Sequence, residues 1–323
     1  MKALVTAVTS QGENGIVVRR VPDPEPAAGQ VVVRVHTTTV NYADYKQVRD
    51  WSHAEDEALV PGHEVVGTVA SVGSGVTDLA VGQRVGAVTT GGSFCELALA
   101  QRGQVVPLPD DLADERAVGL VALGTAYNAL IVMGRLASGE RVLVNAAAGG
   151  IGSTVVQMAK ALGAAAVVGL VGSDKKVAVV EQAGGVGIAC DYETTDVPLV
   201  IDRLGGKADV VIDSVGGPAL AANMRCLAPF GRLVVCGHTG GRWGYVSTVR
   251  LQEQHQTVTG YRGRLLLRDR PEVVMDGIAA GLRLVRSKDV EILVDSVLPL
   301  EEAQEAFHRL QQRESVGKIV LRA

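Results

Sequence analysis

The stretch "RVLVNAAAGGIG", Arg141 to Gly152, runs a short apolar strand into three alanines and then three glycines in four positions. A strand, a Gly-rich turn and a helix start, heading a βαβ unit, form the context that a dinucleotide site requires. The glycines let a pyrophosphate approach the backbone at a helix N-terminus, whose free N–H groups and positive dipole hold the anion. Ala147 stands where the first Gly of G-x-G-x-x-G is usual, and Gly149 and Gly152 keep the other two places. Ala148, Gly149, Gly150, Ile151 and Gly152 are the predicted contacts. Tight packing alone would also explain such a turn, so the segments that follow must decide.

They alternate. After the strand Arg141–Asn145, the pattern predicts a helix over Ile151–Leu162 and a strand over Ala164–Leu170. A helix Asp174–Ala183 and a strand Val186–Ala189 come next. Then come a helix Val197–Leu204, a strand Ala208–Ile212, a helix Pro218–Leu227 and a strand Arg232–Cys236. Alternating β and α elements mean a doubly wound parallel sheet, and they favour the cofactor reading of the turn. "ERAVGLVALGTAYNALIVMG" precedes this region with helical length and ends at Gly134; another helix is expected over Pro271–Arg286.

Met1 to about Leu112 has another rhythm. "GQVVVRVHTTTV" puts Val31, Val33 and Val35 on one face and Arg34 and His36 on the other; "EVVGTVASVGSGV" and "VGQRVGAV" follow. Short strands punctuated by Gly predict a β-barrel-like unit with no helix of length. The tail "GKIVLRA" is a strand without a local partner, expected to return to this first domain. The fold class is α/β, with residues 1–115 and 265–323 in a discontinuous β-rich domain and 116–264 in the dinucleotide-binding domain.

Composition narrows the classes. The 323 residues are 47% hydrophobic, 20% charged and only 3% aromatic, with 39 glycines, which suits buried parallel strands with helices packed close. The net charge of -4 gives no nucleic-acid footprint, and the arginines of Val246–Arg270 lack aromatic stacking spacing. Cys95, Cys190, Cys226 and Cys236 show no C-x-x-C spacing and read as reduced thiols of a cytoplasmic protein. "MKALVTAV" does not read as a signal peptide, and no apolar run approaches a membrane span of roughly 18 residues.

The second strand of the βαβ unit ends "GLVGSDKK". An NAD site wants an acid near this point for the ribose 2′-OH. Ser173 and Lys176 suit a 2′-phosphate instead, so NADPH is the expected cofactor. Asp174 is either that acid or the cap of the next helix, and Lys175 reads as a solvated face.

"NYAD", "VGSGVTDLAVGQRV", "LGTAYNAL", "GERVLVNAAAGGIGSTVVQMAKALGA", "DVVIDSVGG", "APFGRLVVCG" and "GKIVL" occur in this order over most of the chain. Together they resemble the medium-chain dehydrogenase/reductase superfamily. "AAAGGIG" resembles its zinc-independent quinone oxidoreductase branch, which includes zeta-crystallin and the enoyl reductase domains of polyketide synthases. The resemblance implies a GroES-like catalytic domain plus a Rossmann domain, a site in the cleft between them, NADPH, and a homodimer joined through the Rossmann sheets. It places Thr125 near the nicotinamide, Tyr192 near the adenosine phosphate, and Ser214, Gly216, Cys236 and Gly237 along the cofactor. Cys236 reads as a small buried side chain rather than a redox group.

His63, in "PGHEVVG", falls where the similar zinc alcohol dehydrogenases carry a ligand. A catalytic zinc needs three protein ligands. The other two positions hold Asn41 and about Val121, so no metal is expected, and His63 is read as hydrogen-bonding locally. Alcohol oxidation is then disfavoured. Hydride transfer to a quinone or an α,β-unsaturated carbonyl asks only for placement and a few donors to the developing oxyanion. By the resemblance, Asn41 and Asp44 lie beside the nicotinamide. Asn41 is the expected donor to the substrate oxygen, Asp44 orients its neighbours, and Tyr42 or Tyr45, supported by Lys46, is the expected acid. In "VRDWSHAEDEALVPG" the chain departs from its relatives, with Trp51 near the place of their aromatic. Two other readings stay open: an enoyl-thioester reductase acting in trans, and a non-catalytic NADPH-binding protein.

Overall fold

The computed structural model describes residues 1–8, 12–52 and 58–323; residues 53–57 of the divergent "VRDWSHAEDEALVPG" stretch lie outside them. The chain divides into two compact units. One comprises Met1–Val121, Leu267–Met275 and Val294–Ala323, the other Ala122–Leu266 and Asp276–Leu293. Residues 276–293, expected in the first domain, therefore belong to the second. The amphipathic helix Pro271–Arg286 explains this, because Gly281 lies against Leu123 and Gly277 against Asn128, both second-unit residues.

In the first unit, Lys2–Val8 and Asn14–Arg20 pair antiparallel. A seven-stranded sheet runs in the order Val294–Pro299, Lys318–Arg322, Gln30–Val40, Glu64–Val72, Arg84–Val88, Val105–Pro107, with Leu97–Gln101 paired to Gln30–Val40. The tail strand Lys318–Arg322 lies antiparallel to Gln30–Val40. The period-2 pattern works as read: Val31, Val33 and Val35 are buried with Val65, Val69 and Val85, while Arg34 is exposed. One expectation needs correcting. A helix of eight residues, Tyr42–Arg49, lies in this unit, on the "NYADYKQ" segment. Its start is a capping box, in which the Asp44 carboxylate accepts the Asn41 backbone N–H at 2.6 Å.

In the second unit, six parallel strands run Val186–Ala189, Ala166–Val171, Arg141–Val144, Ala208–Asp213, Leu227–Val235, Thr257–Gly260. The order reverses between Arg141–Val144 and Ala208–Asp213, which makes their C-terminal ends the switch point where such sheets bind ligands. Local signals set the connecting helices. Val197–Leu204 starts at Asp196, whose carboxylate accepts the Leu199 N–H, carries Pro198 in its first turn, and stops at Gly205 in the left-handed region.

The stretch Asp114–Met133 has the length and mean hydropathy, 20 residues and 1.5, of a membrane span, contrary to the expectation that no run would. Its window is 67% buried inside the protein, as a core helix requires. It is not one helix. Gly119, at φ +100°, breaks it, and Asn128–Met133 is a π-helical turn closed by the Gly134 N–H on the Ala129 carbonyl at 2.9 Å.

Candidate functional site

The Gly-rich turn sits at the switch point of the second unit. Strand Arg141–Val144 hands over through Asn145, whose N–H donates to the Ile212 carbonyl at 3.0 Å. Ala146 then takes φ +48°, Ala147 donates to the Leu170 carbonyl, and Gly149 donates back to the Ala146 carbonyl, both at 3.0 Å. Gly149 caps the helix Gly150–Ala161. A Cβ on Gly152 would stand 2.2 Å from the Ala146 carbonyl oxygen and 2.7 Å from the Ala147 Cα. Only glycine lets the first helical turn lie this close to the strand end. Gly149, Gly150 and Ile151 stay partly exposed, and their end of the helix carries N–H groups without intrahelical acceptors. The residues fit a pyrophosphate.

The flanking loops converge there. The Asp213 carboxylate accepts the N–H groups of Val215 and Gly216 at 2.8 and 2.9 Å, and Ser214 Oγ donates to the Asn145 carbonyl at 3.4 Å. Cys236 donates its N–H to the Asp213 carbonyl at 2.7 Å, and Gly237 lies against the Ser214 carbonyl. Burial, and then the Asp213 charge, push the Cys236 thiol up to about 12, so it is no thiolate at neutral pH. Beneath the turn, Asn145 and Asn223 bond each other through both side chains. Burial raises Asp213 above the usual carboxylate range, against the opposing bonds from Gly216, Val215 and Asn223. At the second strand's end, Ser173 is exposed and opens the turn Asp174–Lys176, and Lys176 is half-buried.

Two predicted contacts are hydrogen-bonded within the protein. Thr125 is buried and hydrogen-bonds Tyr261, whose phenol burial pushes up and the Thr125 and Asn128 bonds pull down. The Tyr192 hydroxyl accepts the Ala146 N–H at 2.8 Å and donates to the Leu170 carbonyl at 3.0 Å.

In the first unit the "NYAD" segment is hydrogen-bonded within the protein. The Asn41 side chain is turned inward. Its Oδ1 accepts from Lys318 Nζ at 2.6 Å, and its Nδ2 donates to Glu64 Oε1 at 3.1 Å. Its Nδ2 also lies 3.5 Å from the Thr39 carbonyl oxygen and from Thr39 Oγ1. Lys318 also bonds Glu64 Oε1 at 3.1 Å, Thr39 donates to the same oxygen, and the Val121 N–H donates to Glu64 Oε2 at 2.8 Å. Glu64 and Lys318 are 0% and 4% exposed, a fully desolvated ion pair. Burial alone would raise the Glu64 carboxyl. The Lys318 ammonium, then Thr39, Val121 and Asn41, outweigh it and hold the group below the usual carboxylate range.

Asp44, wholly buried, accepts the Nδ1–H of His63, whose side chain is 13% exposed. Tyr42 is half-buried, its ring 5.7 Å from Tyr45. Tyr45 packs on Phe307 at 6.0 Å under the Arg49 guanidinium, so its ring serves the core. Glu64 and Lys318 were missed in the sequence. Their signal was a charged residue beginning each of two strands that are otherwise largely apolar.

The three zinc-ligand positions do not fit a metal. Asn41 offers an amide already bonded twice, His63 is held by Asp44, and Val121 offers only a backbone N–H, taken by Glu64. Among the described residues no group of three His, Cys, Asp or Glu could hold a metal ion.

Comparison with known proteins follows the same division. A family model described as "Alcohol dehydrogenase GroES-like domain" matches residues 27–110, and one described as "Zinc-binding dehydrogenase" matches 185–321. The human synaptic vesicle membrane protein VAT-1 homolog is 30% identical over 317 residues, covering 92% of this chain and 80% of that protein. Polyketide synthase GfsB of Streptomyces halstedii is 34% identical over 294 residues, covering 91% of this chain but 5% of that protein. Among solved structures, a quinone oxidoreductase of Pseudomonas syringae pv. Tomato superposes with TM-score 0.88 at 26% identity over 100% of both chains. A mycobacterial protein complexed with NADPH gives TM-score 0.88 at 27% identity, again over 100% of both. With this coverage, and with both units and their strand orders in place, the chain belongs to the medium-chain dehydrogenase/reductase superfamily, in its quinone oxidoreductase-like branch.

Proposed function

We propose that this chain is an NADPH-dependent reductase that delivers hydride to a quinone or an α,β-unsaturated carbonyl without a metal. The observation that carries the reading is the fate of the three ligand positions: Asn41, His63 and Val121 are all hydrogen-bonded to two buried carboxylates of the protein. Without a Lewis acid, the acceptor must be one whose negative charge is already delocalised over an enolate or quinol. When bound, NADPH supplies the hydride. The helix N-terminus at Gly150–Gly152 holds the pyrophosphate, and Ser173 and Lys176 hold the 2′-phosphate. Tyr42 donates the proton to the reduced oxygen and regains one from water. Asn41, locked by Lys318 and Glu64, and Asp44, locked to His63, are positioning residues that fix the start of the helix bearing Tyr42. The likeness to an NADPH complex supports the cofactor, and the likeness to a quinone oxidoreductase supports the acceptor.

A second reading, reduction of an enoyl thioester in trans, is supported by the 34% identity to GfsB. The test is one assay: purified protein and NADPH against a panel of quinones, enones and enoyl thioesters, before and after chelation. Rates highest on quinones or enones and unchanged by chelator are expected. Thioesters alone as acceptors would favour the second reading, and loss of rate on chelation would overturn the metal-free one. We also infer a homodimer joined at the Thr257–Gly260 edge of the six-stranded sheet, and residence in the cytoplasm, where the four free thiols stay reduced.

A further inference from the structure

The loop that follows strand Leu227–Val235 carries two exposed aromatics, in a chain with only two Trp, six Tyr and three Phe. Among the described residues, Tyr245 and Trp243 are the most exposed large hydrophobic side chains, at 95% and 70%. Trp243 is nevertheless held in place. Its indole stacks on the His238 ring, with centroids 4.0 Å apart and planes 23° from parallel. The loop that bears both rings is pinned to the loop after strand Ala208–Asp213. The Thr239 N–H and hydroxyl both donate to the Ser214 carbonyl at 3.0 Å, and the Gly240 N–H donates to the Val215 carbonyl at 2.9 Å. The Gly241 N–H closes a turn on the His238 carbonyl at 2.9 Å. Gly216, at φ +69°, makes room for it, since a Cβ there would stand 3.3 Å from the His238 Cβ. One face of the indole is thus backed by His238, and the other is open.

Position decides what this face can meet. In a doubly wound sheet that binds a dinucleotide, the adenosine half takes the side of the second strand, here Ala166–Val171, and the nicotinamide half takes the far side of the switch point. Leu227–Val235 lies on that far side, next to Ala208–Asp213. An aromatic face held there serves the reactant that meets the nicotinamide rather than the adenine. The electron-poor ring of a quinone is a good partner for the electron-rich face of an indole. We propose that Trp243, backed by His238, is a specificity-determining residue that stacks on a planar ring acceptor, a quinone or an aryl-conjugated enone, and that acyclic acceptors gain nothing from it. The proposal rests on the reductase reading given above and narrows its acceptor to ring compounds.

Trp243→Leu keeps an apolar side chain and removes the ring, whereas Trp243→Phe keeps a ring. The probe is phenanthrenequinone, a planar acceptor to which the four free thiols do not add. Bound to protein loaded with NADP+ it cannot be reduced, so calorimetry reads its affinity directly. An aromatic pair corresponds to roughly a 2- to 12-fold change. The dissociation constant should rise by about this factor in Trp243→Leu and by less in Trp243→Phe. NADPH affinity and the KM for crotonaldehyde, an acyclic α,β-unsaturated carbonyl, should stay at wild-type values. So should the melting temperature, because the side chain is exposed. Unchanged quinone affinity would overturn the platform. A matching loss of NADPH affinity would make Trp243 a cofactor contact, and a matching rise in the crotonaldehyde KM would make it a support of the loop; either overturns the proposal. If wild type reduces neither acceptor, the reductase reading fails and quinone affinity alone decides: a weaker affinity in Trp243→Leu supports stacking, and an unchanged one refutes it. No quinone binding by wild type refutes it in every case.

Discussion

Replacing Lys318 by methionine is the sharpest test of how the first unit is held. Methionine keeps the length and the apolar stem but removes the ammonium that bonds Asn41 Oδ1 at 2.6 Å and Glu64 Oε1 at 3.1 Å. Glu64 then remains wholly buried with its charge opposed only by Thr39, Asn41 and Val121. Breaking a buried pair from one side costs about 3–5 kcal/mol. At roughly 2–4 °C per kcal/mol for a domain of this size, the first unit should melt about 6–20 °C lower. Glu64→Gln combined with Lys318→Met removes both charges and keeps one acceptor oxygen for Thr39 and Asn41, so it should recover part of the loss. Urea unfolding of wild type, single and double variants at neutral pH measures this. The sign with pH follows from the shift. In wild type the Glu64 carboxyl lies below its ordinary 4.5, so its contribution is full above that value and is lost as pH falls through the lowered one. In Lys318→Met the burial effect loses its main opponent and the carboxyl rises, so the deficit shrinks as pH falls through the raised value. A single variant within about 1 kcal/mol of wild type, or a double variant no better than the single, would refute the buried pair as the source of stability.

Lys176→Ala should weaken NADPH binding by about 1–3 kcal/mol, the scale of a charge-assisted hydrogen bond, and leave NADH nearly unchanged; equal losses for both nucleotides in a binding titration would remove Lys176 from the 2′-phosphate. Tyr42→Phe keeps the ring contact with Tyr45 and should lower turnover on the best acceptor on the order of 10²-fold at an unchanged melting temperature. A wild-type rate would make water the acid.

The second unit was legible because its signals are local. Strand Val186–Ala189 and helix Val197–Leu204 have the boundaries that their sequence predicts, the helix being fixed by Asp196, Pro198 and Gly205 within one short segment. The helix Tyr42–Arg49 was not legible from hydrophobic periodicity, because only Asp44 and Val48 are buried on it. Its one signal was the three-residue spacing of Asn41 and Asp44, which is a cap before it is a catalytic motif. The hydroxyls of Thr125 and Tyr192 find partners in residues distant in sequence, Tyr261 for one and Ala146 with Leu170 for the other, which no local pattern announces. Lys318 meets Glu64 across 254 residues, a pairing that only the return of the tail strand brings about.

That pairing bears on the chemistry as well as on stability. A cation bound at the Asn41 position would have to share Oδ1 with the Lys318 ammonium, which already lies 2.6 Å from it. At a separation of about 4 Å and an effective dielectric of about 20, two unit charges repel by about 4 kcal/mol, and a dication doubles this. Lys318 would have to leave or lose its proton, and Glu64 would lose its main counter-charge. The buried lysine thus disfavours a dication at Asn41 more strongly than loss of a thiolate alone. The residues that replace ligands at Asn41 and Val121 are fastened by the carboxylate that Lys318 balances, and His63 is fastened by Asp44 beside them. Among the described residues, these three positions offer no metal electrophile to stabilise a localised alkoxide. In the function proposed above, the acceptors that suit this arrangement are those that delocalise the incoming charge themselves.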